Sequence, residues 1–161
     1  MDEILEALSN DARITPQELS KLTGKSLAAV KSDIKKYEKK GVIVKYKAVI
    51  NNDLLDDSKP KVRALIEVSI VPQKDVGFDR IAERIYSFDE VISCSLVSGT
   101  YDLLVIVEGD NIQTVSNFIA SKLSPMEHVR GTATHFLLKK YKEDGQILKK
   151  KRKMARLNIS Y

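Results

Sequence analysis

Cysteine and long apolar stretches are scarce in this sequence, and both shortages narrow the class of protein. Cys94 is the single cysteine among 161 residues, which excludes a disulfide framework and a cysteine-based metal site. No apolar run approaches the roughly 18 residues that suggest a membrane span. The chain begins Met1-Asp2-Glu3, which is acidic where a secretory signal is basic. We therefore expect a cytoplasmic globular protein that makes no contact with a membrane.

The residue patterns of common enzymes are also missing. The sequence contains no glycine-rich phosphate loop and no Gly-x-Ser-x-Gly turn. The two histidines, His128 and His135, have no cysteine companions at metal-ligand spacing. Cys94 has no identifiable base beside it, so we interpret it as a packing residue. We therefore predict no catalytic residue, no metal site and no cofactor.

The formal net charge of +5 is unevenly distributed. Residues 1–52 carry a net charge of +3, residues 53–138 of −5 and residues 139–161 of +7. Basic ends around an acidic middle indicate that the ends meet a polyanion while the middle has another task. A charge pattern that serves only solubility is the alternative.

The first 40 residues predict three short helices. The first runs from about Asp2 to Ser9. Thr15-Pro16-Gln17-Glu18 starts the second with a capping box, and Gly24 ends it in a tight turn. Ser26 caps the third, which runs to about Lys40. The side chains expected to point inward from the second and third helices are Leu19, Leu22, Leu27, Val30, Ile34 and Tyr37.

Small and basic residues occupy the outer face of the third helix, which is typical of a helix-turn-helix. Small side chains let the helix approach the floor of the major groove, and lysines reach the phosphates. Residues 42–50 are predicted to be β structure at the position of a wing. A three-helix bundle with a solvated lysine face is the alternative. The candidate DNA-binding residues are Ser26, Ala28, Ala29, Lys31, Ser32, Lys35, Lys36 and Lys39.

A loop-forming segment, residues 51–60, separates an N-terminal domain (residues 1–50) from a C-terminal domain (residues 61–145). In the C-terminal domain the apolar period alternates between strand and helix. This order, βαββαβ, predicts an α+β, ferredoxin-like domain, whose sheet has one face without helices and is expected to pair two copies into a dimer. The predicted strands are 62–71, 91–98, 103–107 and 132–138, and the helices are 78–87 and about 112–123.

Several short stretches resemble the Lrp/AsnC, or feast/famine, family of transcriptional regulators over about residues 2–145. The C-terminal stretches are Ser98–Asp102 and Val129–Thr134. The resemblance implies a winged helix-turn-helix followed by a RAM domain, dimers that assemble into tetramers or octamers, and an amino acid effector. The N-terminal residues that carry it are Asp2, Ile4-Leu5, Leu8, Asn10-Asp11-Ala12-Arg13, Leu19, Ser26, Val30, Ile34, Glu38, Gly41-Val42-Ile43 and Tyr46.

In that family the loop matching residues 98–102 lines the effector pocket with a strand of a neighbouring subunit. Asp102 offers a carboxylate for an ammonium group, and the backbone amides near Gly99 can hold a carboxylate. The alternative is a β-turn in which Gly99 supplies a positive φ and Asp102 bonds the turn backbone. The candidate effector-binding residues are Ser98, Gly99, Thr100, Tyr101, Asp102, Thr132 and Thr134.

One residue departs from the family pattern and keeps two other functions open. Asp33 stands where arginine is usual, and we expect it to lie on a flank of the third helix and to pair with Lys36. An acid near DNA favours a ligand-sensing assembly protein that has lost DNA binding. A sirohaem decarboxylase-like enzyme is the other alternative, against which the acidic middle and the two scattered histidines argue.

The last segment, residues 146–161, is strongly basic and includes the run Lys149-Lys150-Lys151-Arg152-Lys153. It is either a solubilising tail or an arm that contacts DNA phosphates or an acidic surface of a neighbouring subunit.

Overall fold

The computed structural model describes residues 2–55, 61–71 and 77–148. The chain divides into two compact units, Met1–Ile50 and Asn51–Tyr161, here called the N-terminal unit and the C-terminal unit. No helix within the described ranges is both long enough and apolar enough to cross a membrane.

Three helices build the N-terminal unit: α1 (Glu3–Asn10), α2 (Pro16–Thr23) and α3 (Leu27–Lys39). Each begins where the sequence offers a capping side chain. Asp2, Thr15 and Ser26 accept hydrogen bonds from backbone amides of the first turns of α1, α2 and α3. Glu18 Oε2 in turn accepts from the Thr15 amide at 2.8 Å, which completes the predicted capping box. The three helices and the capping box are confirmed.

The core of the N-terminal unit is small. Ile4, Leu19 and Val30 are fully buried, one from each helix. Leu22 was expected to join them, but its side chain is 62% exposed, and Leu27 is also exposed. The core encloses only one residue of α2 and one of α3. The prediction that Leu22 and Leu27 point inward was therefore wrong.

The predicted β structure of residues 42–50 is not formed. This segment follows α3 without entering a strand, and Val44 is almost fully exposed. A strand needs the amides and carbonyls of a neighbouring strand, and the described part of the N-terminal unit is otherwise helical or turn. The alternation of apolar residues therefore had no ladder to join.

In the C-terminal unit, four strands form an antiparallel sheet with both helices on one face. Counted along the chain, the second strand lies at one edge, the third beside it, then the first, and the fourth lies at the other edge. A short 3₁₀ turn, Asn52–Leu54, precedes the sheet. This arrangement confirms the α+β, ferredoxin-like prediction. The elements are β1 (Val62–Ile70), α4 (Gly77–Tyr86), β2 (Val91–Leu96), β3 (Leu103–Gly109), α5 (Ile112–Phe118) and β4 (Val129–Phe136).

One face of the sheet packs against the helices. Ala64, Ile66 and Val68 of β1 are buried on that face beside residues of β3, as the alternating pattern predicted. The rest of this core comes from strand β3 and from the two helices with the turn after α5. These further buried residues include Leu103, Val105, Val107, Ile81, Ile85, Val115, Phe118 and Leu123.

The second helix departs from its predicted stripe. α5 ends at Phe118, and a π-helical turn covers Ile119–Leu123, with the Ser124 amide donating to the Ile119 carbonyl at 2.8 Å. The wider turn adds a residue to the repeat, so Phe118 and Leu123 are both buried. Ile112, expected on the apolar stripe, is 57% exposed.

A two-strand hairpin follows the sheet, formed by β5 (Lys142–Glu143) and β6 (Gln146–Ile147). Arg63 of β1 reaches Glu143 at 3.6 Å, which ties the hairpin to the sheet. The basic run from residue 149 onward lies outside the described residues, so both roles expected for this tail stay predictions.

Candidate DNA-binding surface and effector loop

The outer face of α3 is exposed as the sequence predicted. At about 100° per residue, Val30 and Ile34 lie on the inner side, and the small and basic residues lie on the other. Ala29 is half-buried. The exposed candidate residues are Ser26, Ala28, Lys31, Ser32, Lys35, Lys36 and Lys39.

The turn between α2 and α3 is held by local hydrogen bonds. Gly24 has φ +69°, the left-handed conformation that favours glycine. Ser20 Oγ donates to the Lys25 carbonyl at 2.6 Å, and the Ala29 amide donates to Ser26 Oγ at 3.2 Å. Ser26 therefore has a capping task in addition to its place on the exposed face. These bonds fix the start of α3, the end of the helix that enters the major groove in a helix-turn-helix protein.

Asp33 does not pair with Lys36 as expected. Its Oδ2 accepts from Lys25 Nζ at 2.8 Å. Helical side chains lean toward the N-terminus, so Asp33 reaches back to the turn rather than forward to Lys36. Lys25 Nζ also lies 3.9 Å from Asp2 Oδ2. Asp33 is thus engaged with Lys25 on the flank of α3.

The ionisation of this cluster follows from its contacts. Hydrogen bonding by Asp33 raises the pKa of Lys25 above its ordinary value. Burial acts to raise the pKa of Asp2, but the Ile4 amide, the Tyr37 hydroxyl and Lys25 together lower it. Desolvation, reinforced by the hydrogen bond to Asp2, raises the pKa of Tyr37. At neutral pH Lys25 is therefore an ammonium and Asp2 a carboxylate.

The chain after α3 folds back onto the helix. Gly41 has φ +68°, and the amides of Val42 and Ile43 donate to the Tyr37 carbonyl at 2.9 and 3.2 Å. Tyr46 donates its hydroxyl to Glu38 Oε1 at 3.0 Å. Desolvation and this bond raise the pKa of Tyr46. The segment is thus tied to α3 by hydrogen bonds instead of a β ladder.

In the C-terminal unit, the candidate effector loop joins β2 to β3. Ser98, Gly99 and Thr100 are exposed, and Gly99 has φ +157°. Asp102 is half-buried, and its Oδ2 accepts from the Ile70 amide at 2.7 Å. The Asp102 amide donates to the Val68 carbonyl at 3.0 Å. This residue therefore anchors the loop to β1, and only its second carboxylate oxygen is left for a ligand.

The two candidate threonines of β4 lie on the face that the helices cover. Thr132 pairs with Val68 and Thr134 with Ile66, both buried residues of β1. Thr132 Oγ1 lies 3.3 Å from Ser124 Oγ. Each threonine is thus half-buried on β4, beside the core of its own unit.

The other face of the sheet mixes apolar residues with ion pairs. Leu65 pairs with Ile106 across β1 and β3, and Leu104 lies beside them. His135 Nε2 lies 3.1 Å from Glu67 Oε1. The face ends at Arg63, whose guanidinium donates to Glu108 at 2.7 Å. We call this surface the open face.

A surface cavity of about 610 Å³ lies between α4 and the turn after α5. None of the candidate effector residues lines it. Cys94 lies on β2 beside the core, and burial raises its thiol pKa, as a packing residue requires. Among the described residues, no cluster of histidine, cysteine or acidic side chains could hold a metal ion. The cavity is lined by Arg84, Ser87, Phe88, Ser121, Lys122, Pro125, Met126 and Glu127.

Both units match known protein families. Residues 3–44 match a winged helix-turn-helix DNA-binding domain, and residues 63–147 match the Lrp/AsnC ligand binding domain. An uncharacterized HTH-type transcriptional regulator of Bacillus subtilis, YugG, is 43% identical over 90% of this chain and 87% of its own length. The leucine-responsive regulatory protein of Haemophilus influenzae is 28% identical over 88% of this chain and 83% of its own. A Neisseria meningitidis transcriptional regulator, solved with L-methionine, aligns with TM-score 0.66 and 26% identity over 89% of this chain and 93% of its own.

Proposed function

Because the chain belongs to the Lrp/AsnC family of transcriptional regulators, we propose that it reads double-stranded DNA with the outer face of α3 and responds to an amino acid. The prediction of a regulator rather than an enzyme is confirmed by this membership. The observation that carries the DNA proposal is the capped helix α3 with its exposed lysines opposite Val30 and Ile34.

The residues of α3 divide into two tasks. Ala28, Ala29 and Ser32 are small, so the helix backbone can approach the base edges in the major groove. Lys31, Lys35, Lys36 and Lys39 have long side chains that reach phosphates, where each contact releases a counterion. Ser26 orients the N-terminus of the helix, whose dipole also favours phosphate.

The effector is proposed to be an amino acid at the loop formed by residues 98–102. The solved relative in complex with L-methionine supports this class of ligand. The exposed amides around Gly99 suit a carboxylate, and the free oxygen of Asp102 suits an ammonium. Ser98, Thr100 and Tyr101 would surround the ligand, and Thr132 and Thr134 would come from a neighbouring subunit.

The open face is proposed to pair two copies into a dimer, which assembles further into tetramers or octamers. Leu65, Leu104 and Ile106 give it apolar area, and the Arg63–Glu108 and Glu67–His135 pairs beside them give it polar contacts. We also propose that the protein acts in the cytoplasm, where its DNA target lies in microorganisms such as those that carry its relatives.

The DNA proposal is tested by replacing two phosphate-reaching lysines. Duplexes that the full chain selects from a random pool serve as probes, and Lys31→Ala/Lys35→Ala is compared with the wild type over a range of salt. The double variant should bind every duplex more weakly, with a salt slope reduced by about 1.8, or 0.9 for each lost contact. The matched control is Lys61→Ala, which removes a 63% exposed lysine from the C-terminal unit and should leave the slope unchanged. Equal binding by wild type and double variant would show that α3 is not the DNA-binding surface.

A further inference from the structure

Lys25 occupies a position from which it could contact DNA directly. It lies between the left-handed Gly24 and the helix cap Ser26, in the turn that leads into α3. In a docked helix-turn-helix, the helix before this turn crosses the DNA backbone and the helix after it enters the major groove. A lysine in the turn therefore comes close to phosphates, which attract ammonium groups whatever the base sequence.

The structure shows this lysine engaged elsewhere. Lys25 Nζ lies 2.8 Å from Asp33 Oδ2 and 3.9 Å from Asp2 Oδ2. The side chains of Lys25 and Asp33 are 41% and 31% exposed, so water and phosphate can compete for the pair. One ammonium held by two carboxylates gives a local net charge of −1, and without the Asp33 carboxylate this charge would be 0.

Both effects of Asp33 oppose phosphate binding. Its carboxylate holds the Lys25 ammonium on the flank of α3, and its negative charge repels a phosphate that approaches the same corner. Neither effect depends on base sequence. Among the described residues, the exposed lysines farther along α3, such as Lys31 and Lys35, form no such pair with an acidic side chain and keep their attraction for the DNA backbone.

We propose that Asp33 is a positioning residue that withholds Lys25 from DNA phosphates and thereby lowers the sequence-independent affinity of the protein for DNA. The inference rests on the proposed DNA binding by α3. It assigns to Asp33 an attenuating role within a working DNA-binding surface.

The test measures binding of the full chain to a random-sequence duplex of about 30 base pairs between about 50 and 200 mM salt. Asp33→Asn should bind more tightly than the wild type, with a salt slope steeper by about 0.9 as Lys25 gains a phosphate contact. Its advantage should therefore shrink about 3.5-fold over that salt range. Adding Lys25→Ala to Asp33→Asn should return the slope to the wild-type value.

Two further variants separate this effect from simpler ones. Glu6→Gln removes an exposed acid from α1 and changes the net charge as much as Asp33→Asn does. Because the acids that contact Lys25 are Asp2 and Asp33, Glu6→Gln should leave the slope unchanged. Lys25→Ala alone should also leave the slope unchanged, because the wild-type lysine is held by Asp33. A reduced slope for this single variant would overturn the proposal even if Asp33→Asn fails to fold, which thermal unfolding by circular dichroism would reveal.

The contrary outcomes are distinct. A wild-type slope for Asp33→Asn, or a slope reduced by about 0.9 for Lys25→Ala alone, overturns the attenuating role while leaving DNA binding intact. A wild type that binds neither random nor selected duplexes overturns the proposed function, and this inference with it.

Discussion

Different kinds of contact stabilise the interiors of the two units. In the N-terminal unit the fully buried residues are Ile4, Leu19 and Val30, and the helix starts depend on bonds between residues two or three apart. In the C-terminal unit a continuous core joins two helices to the sheet, and its strands pair residues as distant as Ala64 and Phe136. Because the N-terminal unit buries so little apolar area, its stability depends on its helix caps. The C-terminal unit has a larger core and should tolerate the loss of a helix cap.

The difference separates the proposed DNA-binding surface from the proposed effector loop. The surface of α3 belongs to the unit with the smaller reserve of stability, and the loop 98–102 belongs to the unit with the larger one. Local opening should therefore occur at lower free energy in the helix-turn-helix than in the sheet.

The largest expected effect comes from removing matched core residues. Ile66→Ala should cost about 2–5 kcal/mol of unfolding free energy in the C-terminal unit, because Ile66 is fully buried. Leu19→Ala carries a similar local penalty, but it falls on a smaller core and should unfold the helix-turn-helix while the sheet remains. Urea unfolding followed by circular dichroism separates the two, and the exposed Ile112→Ala is the control. A single cooperative transition for Leu19→Ala would mean that the units unfold as one.

A smaller effect is expected at the bond between Asp102 and Ile70. Asp102→Ala leaves the Ile70 amide without its acceptor and should cost about 1–3 kcal/mol in the C-terminal unit. Asp102→Asn keeps an acceptor oxygen, so its stability should stay near that of the wild type. If the free carboxylate oxygen binds the effector ammonium, Asp102→Asn should still lower amino acid affinity about tenfold.

Calorimetric titration of amino acids against the wild type and both Asp102 variants measures this prediction. Equal affinity in the wild type and Asp102→Asn would leave Asp102 as a loop anchor alone. If no amino acid binds the wild type, the loop is not an amino acid site.

The smallest effect is expected at the capping box of α2. Thr15→Ala should cost about 1 kcal/mol in the N-terminal unit, because it removes the acceptor for the Glu18 amide. Bonds from the Thr15 amide and hydroxyl lower the pKa of Glu18 below its ordinary value of 4.5. A lowered pKa stabilises the fold above the unfolded value and loses that stabilisation as the pH falls through the folded value. The melting temperatures of wild type and Glu18→Gln should therefore converge as the pH falls below 4.5 and through the lowered pKa of Glu18. A pH-independent difference would contradict this account of the box.

The parts of the fold that the sequence predicted correctly are those decided by neighbours in the chain. Thr15, Glu18 and Ser26 act within a single turn, so their residue types suffice to locate helix starts. Alternation in β1 suffices to locate its buried face, because a strand has only two sides. The prediction failed for residues 42–50, where the pattern of a strand was present but the described residues offer no partner strand.

The site was predictable in outline only. Exposure of the lysines on α3 follows from helical geometry, but the partner of Asp33 depended on where the preceding turn places Lys25. The sequence offered two roles for Asp102, and choosing between them required knowing that the Ile70 amide lies within reach. The buried positions after α5 are shifted by a π-helical turn, which the spacing of the apolar residues did not predict. The assignments of Ser98–Asp102, Thr132 and Thr134 to the effector stay predictions.

The bond at Ile70 has a kinetic consequence. Ile70 is the last residue of β1, and the register of β1 with β4 shifts between Ser69 and Ile70. Its amide donates to a side chain of the loop instead of to a strand carbonyl. Exchange of that one hydrogen with solvent is therefore governed by the opening of the loop, whereas the amides inside the β1–β3 ladder wait for the sheet to separate. Hydrogen exchange at the Ile70 amide therefore reports on the opening of the loop without any change to the protein.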